Sequence, residues 1–259
     1  MLLVNDRFGL GFELDEIQEQ IIRDDSARII VNCSRQWGKT TTVAAKAAAE
    51  ARSGPGLILV IAPVERQARE LFRKIRGCLL SASVPRPWPE DNKLSLELQN
   101  GARVVALPAR GETIRGYTNP RIIIMDEAAF VGDDDYRSIR PMLSHGAKLI
   151  LMSTPFGKRG FFYEIWTQDQ KRWSRYSVPA ERCKHIRKEF LEEELQSIGP
   201  WWYKQEYECQ FLDSIAGFFD MEAVRDALDD GVRNLFDLTQ AGKPDYLSDD
   251  VKPLFGVNA

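Results

Sequence analysis

The segment CSRQWGKT, residues 33–40, ends as a phosphate-binding loop should and begins otherwise. Such loops read G-x-x-x-x-G-K-[ST]. Gly38, Lys39 and Thr40 fit the last three positions, while Cys33 stands where the first glycine belongs. Most of the chemistry sits at the intact end. Backbone N–H groups at a helix N-terminus present positive charge to phosphate. Lys39 can reach the β- and γ-phosphates, the Thr40 hydroxyl can ligate Mg²⁺, and Gly38 admits close backbone approach. Cys33 is small enough to stand at the turn where glycine is usual. The bland alternative is a chance solvent-exposed turn.

Two further stretches supply matching chemistry. In IIIMDE, four apolar residues bring Asp126 to a strand end, where a carboxylate can hold Mg²⁺ directly or through water. Glu127 follows and on strand alternation points elsewhere, placed to orient and deprotonate an attacking water. In LILMSTP the strand ends in Ser153, Thr154 and Pro155, whose hydroxyls can sense a γ-phosphate or its water. Taken singly, each of these is only a solvated or capped strand end.

These residues need elements to carry them. ARIIVN (27–32), GLILVIAP (56–63), RIIIMDE (121–127) and AKLILMST (147–154) read as buried strands. KTTTVAAKAAAEAR, rich in alanine, reads as the helix after the loop. ERQARELFRKIRGCLL reads as another, with Ala68, Leu71, Phe72, Ile75 and Leu79 on its apolar face. KLSLEL and ARVVALP form a hairpin about Asn100-Gly101. Continuous apolar strands separated by helices predict an α/β fold of the P-loop NTPase kind, a mainly parallel sheet covered on both faces. The candidate groups then gather at the carboxyl ends of parallel strands, where open α/β sheets bind ligands. Residues 186–212 read as helical with IGPWWYKQEY interrupting. A boundary near Ser214 divides the chain into a core at 1–213 and a small helical lid or linker at 214–259.

Bulk properties narrow the class. The 259 residues are 44% hydrophobic and 28% charged, enough for a sizeable core with a charged surface. A net charge of −3 provides no global basic field, so any DNA contact needs a local patch. The longest apolar run, Leu57–Ala62, is far short of a membrane span, and the N-terminus lacks a basic n-region. Cys33, Cys78, Cys183 and Cys209 form no close pair and have only His145 and His185 to join them, which predicts reduced thiols rather than zinc.

With loop, Asp-Glu strand and STP together, the chain resembles the ATPase domain of a viral large terminase, the motor that packs DNA into tailed-phage capsids. CSRQWGKT is similar to that family's deviant loop, in which the first glycine is often replaced and an arginine or glutamine lies inside. IIIMDE resembles its Walker B strand with the catalytic glutamate, and STP its coupling motif. FELDEIQEQII resembles its upstream adenine-recognition segment, which puts Gln18 against the adenine edge; otherwise Gln18 is an exposed helix residue. The resemblance implies an ATP and Mg²⁺ site made from Gln18, Ser34, Arg35, Gln36, Trp37, Gly38, Lys39, Thr40, Thr41, Asp126, Ser153 and Thr154. Thr40 and Asp126 are its metal ligands, and Glu127, Arg115 and Arg35 its catalytic residues. It implies double-stranded DNA, a homo-oligomeric ring on the capsid portal and a small terminase subunit as partners. It also implies a place in the host cytoplasm and not in the mature virion.

An arginine that stabilises charge on the transferring phosphoryl is worth roughly 10³–10⁵ in rate. Arg35 can act in cis. Arg115, in TIRGYTNP, resembles a finger reaching into the neighbouring subunit; the alternatives are a surface arginine or a DNA contact. Arg121 is a poorer substitute because it begins a strand. Arg66, Arg69, Arg73 and Arg76 share a helix face that either touches DNA or is merely solvated, with Lys158 and Arg159 a second basic spot. Asp133, Asp134 and Asp135 read as helix-start acids rather than a metal-nuclease cluster. WWY (201–203) reads as packing.

A complete large terminase resembles an ATPase joined to a nuclease. PLFGVNA looks like the opening strand of such a domain, with Asn258 where an aspartate is expected, so no DNA cutting is expected of these residues alone. Two alternatives stay open: a DExx-type helicase, which needs a second RecA-like domain, and an assembly module that binds ATP without turnover.

Overall fold

The computed structural model describes residues 14–168 and 171–213. The lid or linker expected at 214–259, the PLFGVNA strand and the first part of the adenine-recognition segment lie outside them.

The chain alternates strand and helix. Helix α1 (Glu16–Arg23) starts with a capping box, in which the Asp15 side chain accepts from the Gln18 N–H and the Gln18 side chain accepts from the Asp15 N–H. Strand β1 (Arg28–Cys33) leads into α2 (Lys39–Ser53), then β2 (Gly56–Ala62) and α3 (Glu65–Ser81). Short strands β3 (Glu90–Asp91) and β4 (Ser95–Glu97) precede β5 (Ala102–Pro108), α4 (Gly111–Ile114) and β6 (Pro120–Asp126). After these come α5 (Asp133–Leu143), β7 (Lys148–Ser153), α6 (Gly160–Gln168), β8 (Ser174–Val178) and α7 (Lys188–Glu206).

The strands form one sheet in the order β3-β4-β5-β2-β6-β7-β1-β8. Strands β5, β2, β6, β7, β1 and β8 are parallel, and β4 and β3 add an antiparallel edge. The β4–β5 hairpin turns at Gly101, whose φ of 77° suits glycine. The expected α/β, P-loop type sheet is therefore present, and the β2, β6, β7 and β1 readings hold to within a residue or two.

Both faces of the sheet are buried, with a side-chain period of two. Ile29, Val31, Ile122, Ile124, Ile150 and Met152 face one core with residues of α2 and α3. Ile30, Ile123, Met125, Leu149 and Leu151 face the other with Tyr136, Ile139, Phe161 and Phe162. Ala68, Leu71, Phe72, Ile75 and Leu79 are all buried, as the helical spacing in α3 predicts. Some elements are not visible in the sequence, β8 and α6 among them. In β8 only Val178 is fully buried, so the strand lacks a continuous apolar run. Helix α6 reads FFYEIW, apolar without a clean helical period. The run α7 is two helices that meet at a kink at Gly199, φ 78°, within the expected interruption.

Candidate functional site

Register brings the chemistry to one sheet edge. Asn32 pairs with Ser153, and Asp126 pairs with Met152. The carboxyl ends of β1, β7 and β6 therefore lie level, and β7 stands between the strand that ends in the loop and the strand that ends in Asp126. The loop, Asp126 and Ser153-Thr154 become neighbours without being close in sequence.

Cys33 is not the turn residue. It is the last residue of β1, fully buried, with its thiol directed at the Ser153 carbonyl 3.8 Å away. Burial pushes that thiol well above its ordinary value, so it is a neutral packing group. The turn's positive φ values fall at Gln36 (61°) and Gly38 (100°). This glycine is required by its φ, and a Cβ on it would lie 2.9 Å from the Gln18 side-chain nitrogen, which would have to shift. Helix α2 then opens at Lys39, and the Thr41 and Thr42 N–H groups return to the Gly38 carbonyl.

The loop is held from behind. Trp37 is 1% exposed, and its Nε1 donates to Asp15 Oδ2 at 2.6 Å. Gln18 Nε2 donates to the Trp37 carbonyl at 3.2 Å, while its Oε1 caps α1. Gln18 is buried, not an exposed helix residue. Its amide here serves the loop backbone rather than facing the open cavity as the adenine reading expected. The Ser34 N–H donates to the Val178 carbonyl, and His185 Nε2 lies 2.8 Å from the Gln36 carbonyl.

At the front, Lys39 Nζ lies 2.7 Å from Glu127 Oε1. Glu127 has φ 52°, which breaks strand alternation and turns its side chain back to Lys39 instead of elsewhere. A non-glycine residue in this region costs about 1–3 kcal/mol, and such strain collects at functional sites. Its second oxygen, Oε2, is buried and has no partner. Burial alone would depress the Lys39 ammonium, but the Glu127 and Asp126 carboxyls beside it help raise its pKa. Burial lifts Asp126 to about 6, with Lys39 pulling down, Glu127 pushing up, and the Glu127 N–H and Thr40 pulling down. Ser153 Oγ is buried without a partner, and Thr154 is 3% exposed at the cavity wall.

A cavity of about 890 Å³ opens over this edge, lined by Ser34, Arg35, Gln36 and Gly38 to Thr41 of the loop, with Glu127 and Thr154. That volume accommodates a nucleotide-sized ligand. Pro63, Val64, Gln67 and Lys74 complete one wall, and Phe190, Glu194 and Tyr207 another. No motif in the sequence points to these seven. Spacing carries no signal for them, because they approach only when α3 and α7 pack beside the loop.

The arginines separate. Arg35 lies at the cavity, its Nε donating to Glu206 Oε2 at 2.7 Å and its N–H to the Glu206 carbonyl at 2.9 Å. Arg115 caps α4, is exposed, and does not line the cavity. Arg121 sits at the opposite end of β6 from Asp126, donating to the carbonyls of Gly54 and Pro55. On α3, Arg69 pairs with Glu65, Arg73 with Glu70 at 2.9 Å, and Arg76 with Asp91 at 2.8 Å, the pattern of a solvated face. Asp133 accepts from the Phe161 N–H and Asp135 from the Gly111 N–H, so these acids tie α5 to α6 and α4. Among the described residues, no group of three or more His, Cys, Asp or Glu is placed to hold a metal, and no helix is long and apolar enough to cross a membrane.

Residues 30–226 match the model of the terminase large subunit, T4-like virus type, N-terminal. The chain belongs to this family. Its fold is similar to the large terminase ATPase domain of Thermus phage P74-26, at TM-score 0.70 and 21% identity, covering 82% of this chain and all of that one. It is also similar to the large terminase of thermophilic bacteriophage D6E in complex with ADP, at TM-score 0.65 and 14% identity over 81% of this chain. A third likeness is the HK97 bacteriophage large terminase, at TM-score 0.55 and 20% identity over 71% of this chain. This chain spans 57% of the D6E protein and 43% of the HK97 one. For this terminase chain the helicase alternative gives way to the family match.

Proposed function

We propose that this chain is the ATP-hydrolysing motor domain of a viral large terminase, driving double-stranded DNA into a procapsid. The observation that carries the reading is the Lys39–Glu127 pair at the head of α2, beside buried Asp126 and Thr40. The D6E relative, crystallised with ADP and with ATP-γ-S, supports a nucleotide as the ligand.

Thr40 and Asp126 fit Mg²⁺. The Asp126 carboxyl is held near 6 chiefly by burial, so a cation beside it restores the ionised form that burial disfavours. Two protein ligands suit Mg²⁺, which keeps water and substrate phosphate as its other ligands. When bound, the ion neutralises charge on the β- and γ-phosphates.

The rest follows from the chain's own groups. The N–H groups of residues 38–40 and the Lys39 ammonium receive the phosphates. An incoming γ-phosphate competes with Glu127 for Lys39. Glu127, released, accepts a proton from the attacking water, and its buried Oε2 is available to orient that water. Thr154 and Ser153 stand at the end of β7 to contact the γ-phosphate or the water. Arg35, steadied through its Nε by Glu206, keeps its terminal nitrogens for phosphate oxygens. Arg115, exposed and away from the cavity, reaches a neighbouring subunit's site in a ring on the portal. The small subunit, the host cytoplasm and the coupling to DNA movement belong to the same reading.

The test is Mg²⁺-dependent ATP hydrolysis against protein concentration, with and without linear double-stranded DNA. Turnover that rises with concentration supports a ring-completed motor. Tight ATP binding with no turnover at any concentration favours an assembly module.

A further inference from the structure

Gln205 is 1% exposed, on the last turn of α7, and its amide is only half used. Oε1 accepts the Gly157 N–H at 3.1 Å, while Nε2 is buried with no partner. A buried unpaired donor costs stability, and an apolar side chain of the same length avoids that cost. Such a side chain also loses the Gly157 bond. Gly157 has φ 71° and lies three residues after Thr154, in the loop that carries Thr154 to the cavity. One residue on, the Lys158 N–H donates to the Leu212 carbonyl at 3.0 Å, so this loop is tied once to the last turn of α7 and once to the segment that follows it. The neighbouring Glu206 holds Arg35 by side chain and backbone at 2.7 and 2.9 Å. Two successive residues thus hold the turn that follows β7 and the loop that follows β1.

We propose that Gln205 is a positioning residue for ATP hydrolysis, fixing the Gly157 turn and with it Thr154 against the Arg35 wall. The inference rests on the ATPase reading and adds to it a link between the β7 strand end and the phosphate loop through residues 205 and 206. Gln205 touches no substrate. It acts on the reaction by setting where Thr154 stands when the γ-phosphate and water are in place.

The experiment is Gln205→Met in the full chain, read by steady-state ATPase kinetics, ATP-γ-S affinity and thermal melting. The expected result is a kcat lower by about tenfold or more. KM and ATP-γ-S affinity should stay within about twofold, and the melting temperature should be little changed, because removing the unpaired donor offsets losing the Gly157 bond. An unchanged kcat overturns the proposal. So does a kcat that falls in step with affinity and melting temperature, the mark of a merely structural role. Should the variant not fold, hydrogen exchange on the unaltered chain decides. ATP-γ-S is expected to protect the peptides spanning 154–158 and 203–212 at the same nucleotide concentration, and protection of one alone overturns the link. An unaltered chain without turnover defeats the ATPase reading and this proposal together, whereas normal turnover in Gln205→Met defeats this proposal alone.

Discussion

Lys39 Nζ and Glu127 Oε1 meet at 2.7 Å, although 88 residues separate them, with the two side chains 10% and 28% exposed. In the proposed function Lys39 receives phosphate and Glu127 is the general base. Each neutralises the other in the fold, and on that proposal the pair separates before the chemistry starts.

Replacing Glu127 by glutamine removes the base and the charge that occupies Lys39. The expected outcome is a kcat lower by roughly 10²–10⁴. ATP affinity is retained or tightened a few-fold, because the Lys39 ammonium no longer has a carboxylate to leave. Lys39→Ala should instead lose nucleotide affinity. Fluorescent-nucleotide titration beside ATPase kinetics checks both. An E127Q protein with normal turnover would remove Glu127 from the mechanism.

Asp126 yields a pH prediction. Its carboxyl titrates near 6 in the fold, against about 4 in an unfolded chain. Between those values the folded chain binds more protons than the unfolded one, so this group's contribution to stability falls as pH rises through the window. Above it the cost is about 3 kcal/mol. Asp126→Asn should therefore raise the melting temperature by several degrees at pH 7.5, with the gain narrowing toward pH 4.5. It should also abolish Mg²⁺-dependent hydrolysis. A gain that does not vary with pH would show that the carboxyl is not held in its neutral form by the fold.

Gly38→Ala places a Cβ 2.9 Å from Gln18 Nε2 at a φ of 100°. The strain is about 1–3 kcal/mol. Melting temperature and nucleotide affinity should fall together. Gln18→Ala in the same background opens the space without curing the φ, so it should recover only part of the loss. Full recovery would assign the defect to the contact alone.

The two catalytic arginine candidates predict different phenotypes. Arg115 is exposed at the C-cap of α4, so Arg115→Ala should leave the melt unchanged while removing any rise of specific activity with concentration. Arg35 joins the loop to Glu206, so Arg35→Ala should lower activity at every concentration. Activity that is flat with concentration and indifferent to Arg115→Ala would leave Arg35 as the finger in cis.

Much of this is legible along the chain because the signals are local. Buried parallel strands need unbroken apolar runs, so RIIIM and KLILM announce β6 and β7 and bring Asp126 and Ser153 to their ends. Gly38-Lys39-Thr40 before an alanine-rich helix marks the loop, and the 3–4 spacing of Ala68, Leu71, Phe72, Ile75 and Leu79 marks α3. Residues whose role depends on a partner far along the chain carry no such mark. Glu206 meets Arg35 across 171 residues and Gln205 meets Gly157 across 48, and neither appears in any periodic pattern. Gln18 stands out in the sequence, while only the packed loop shows the hydrogen bonds its amide makes with the Asp15 N–H and the Trp37 carbonyl. Glu127 turns toward Lys39 through a left-handed backbone that a strand reading does not contain. Local periodicity and turn chemistry determined the elements and the family motifs they carry. Tertiary packing decided which hydrogen bonds those motifs have already spent and which buried groups, such as Glu127 Oε2 and Ser153 Oγ, it leaves without one, since a buried group can pair only with what the fold brings beside it.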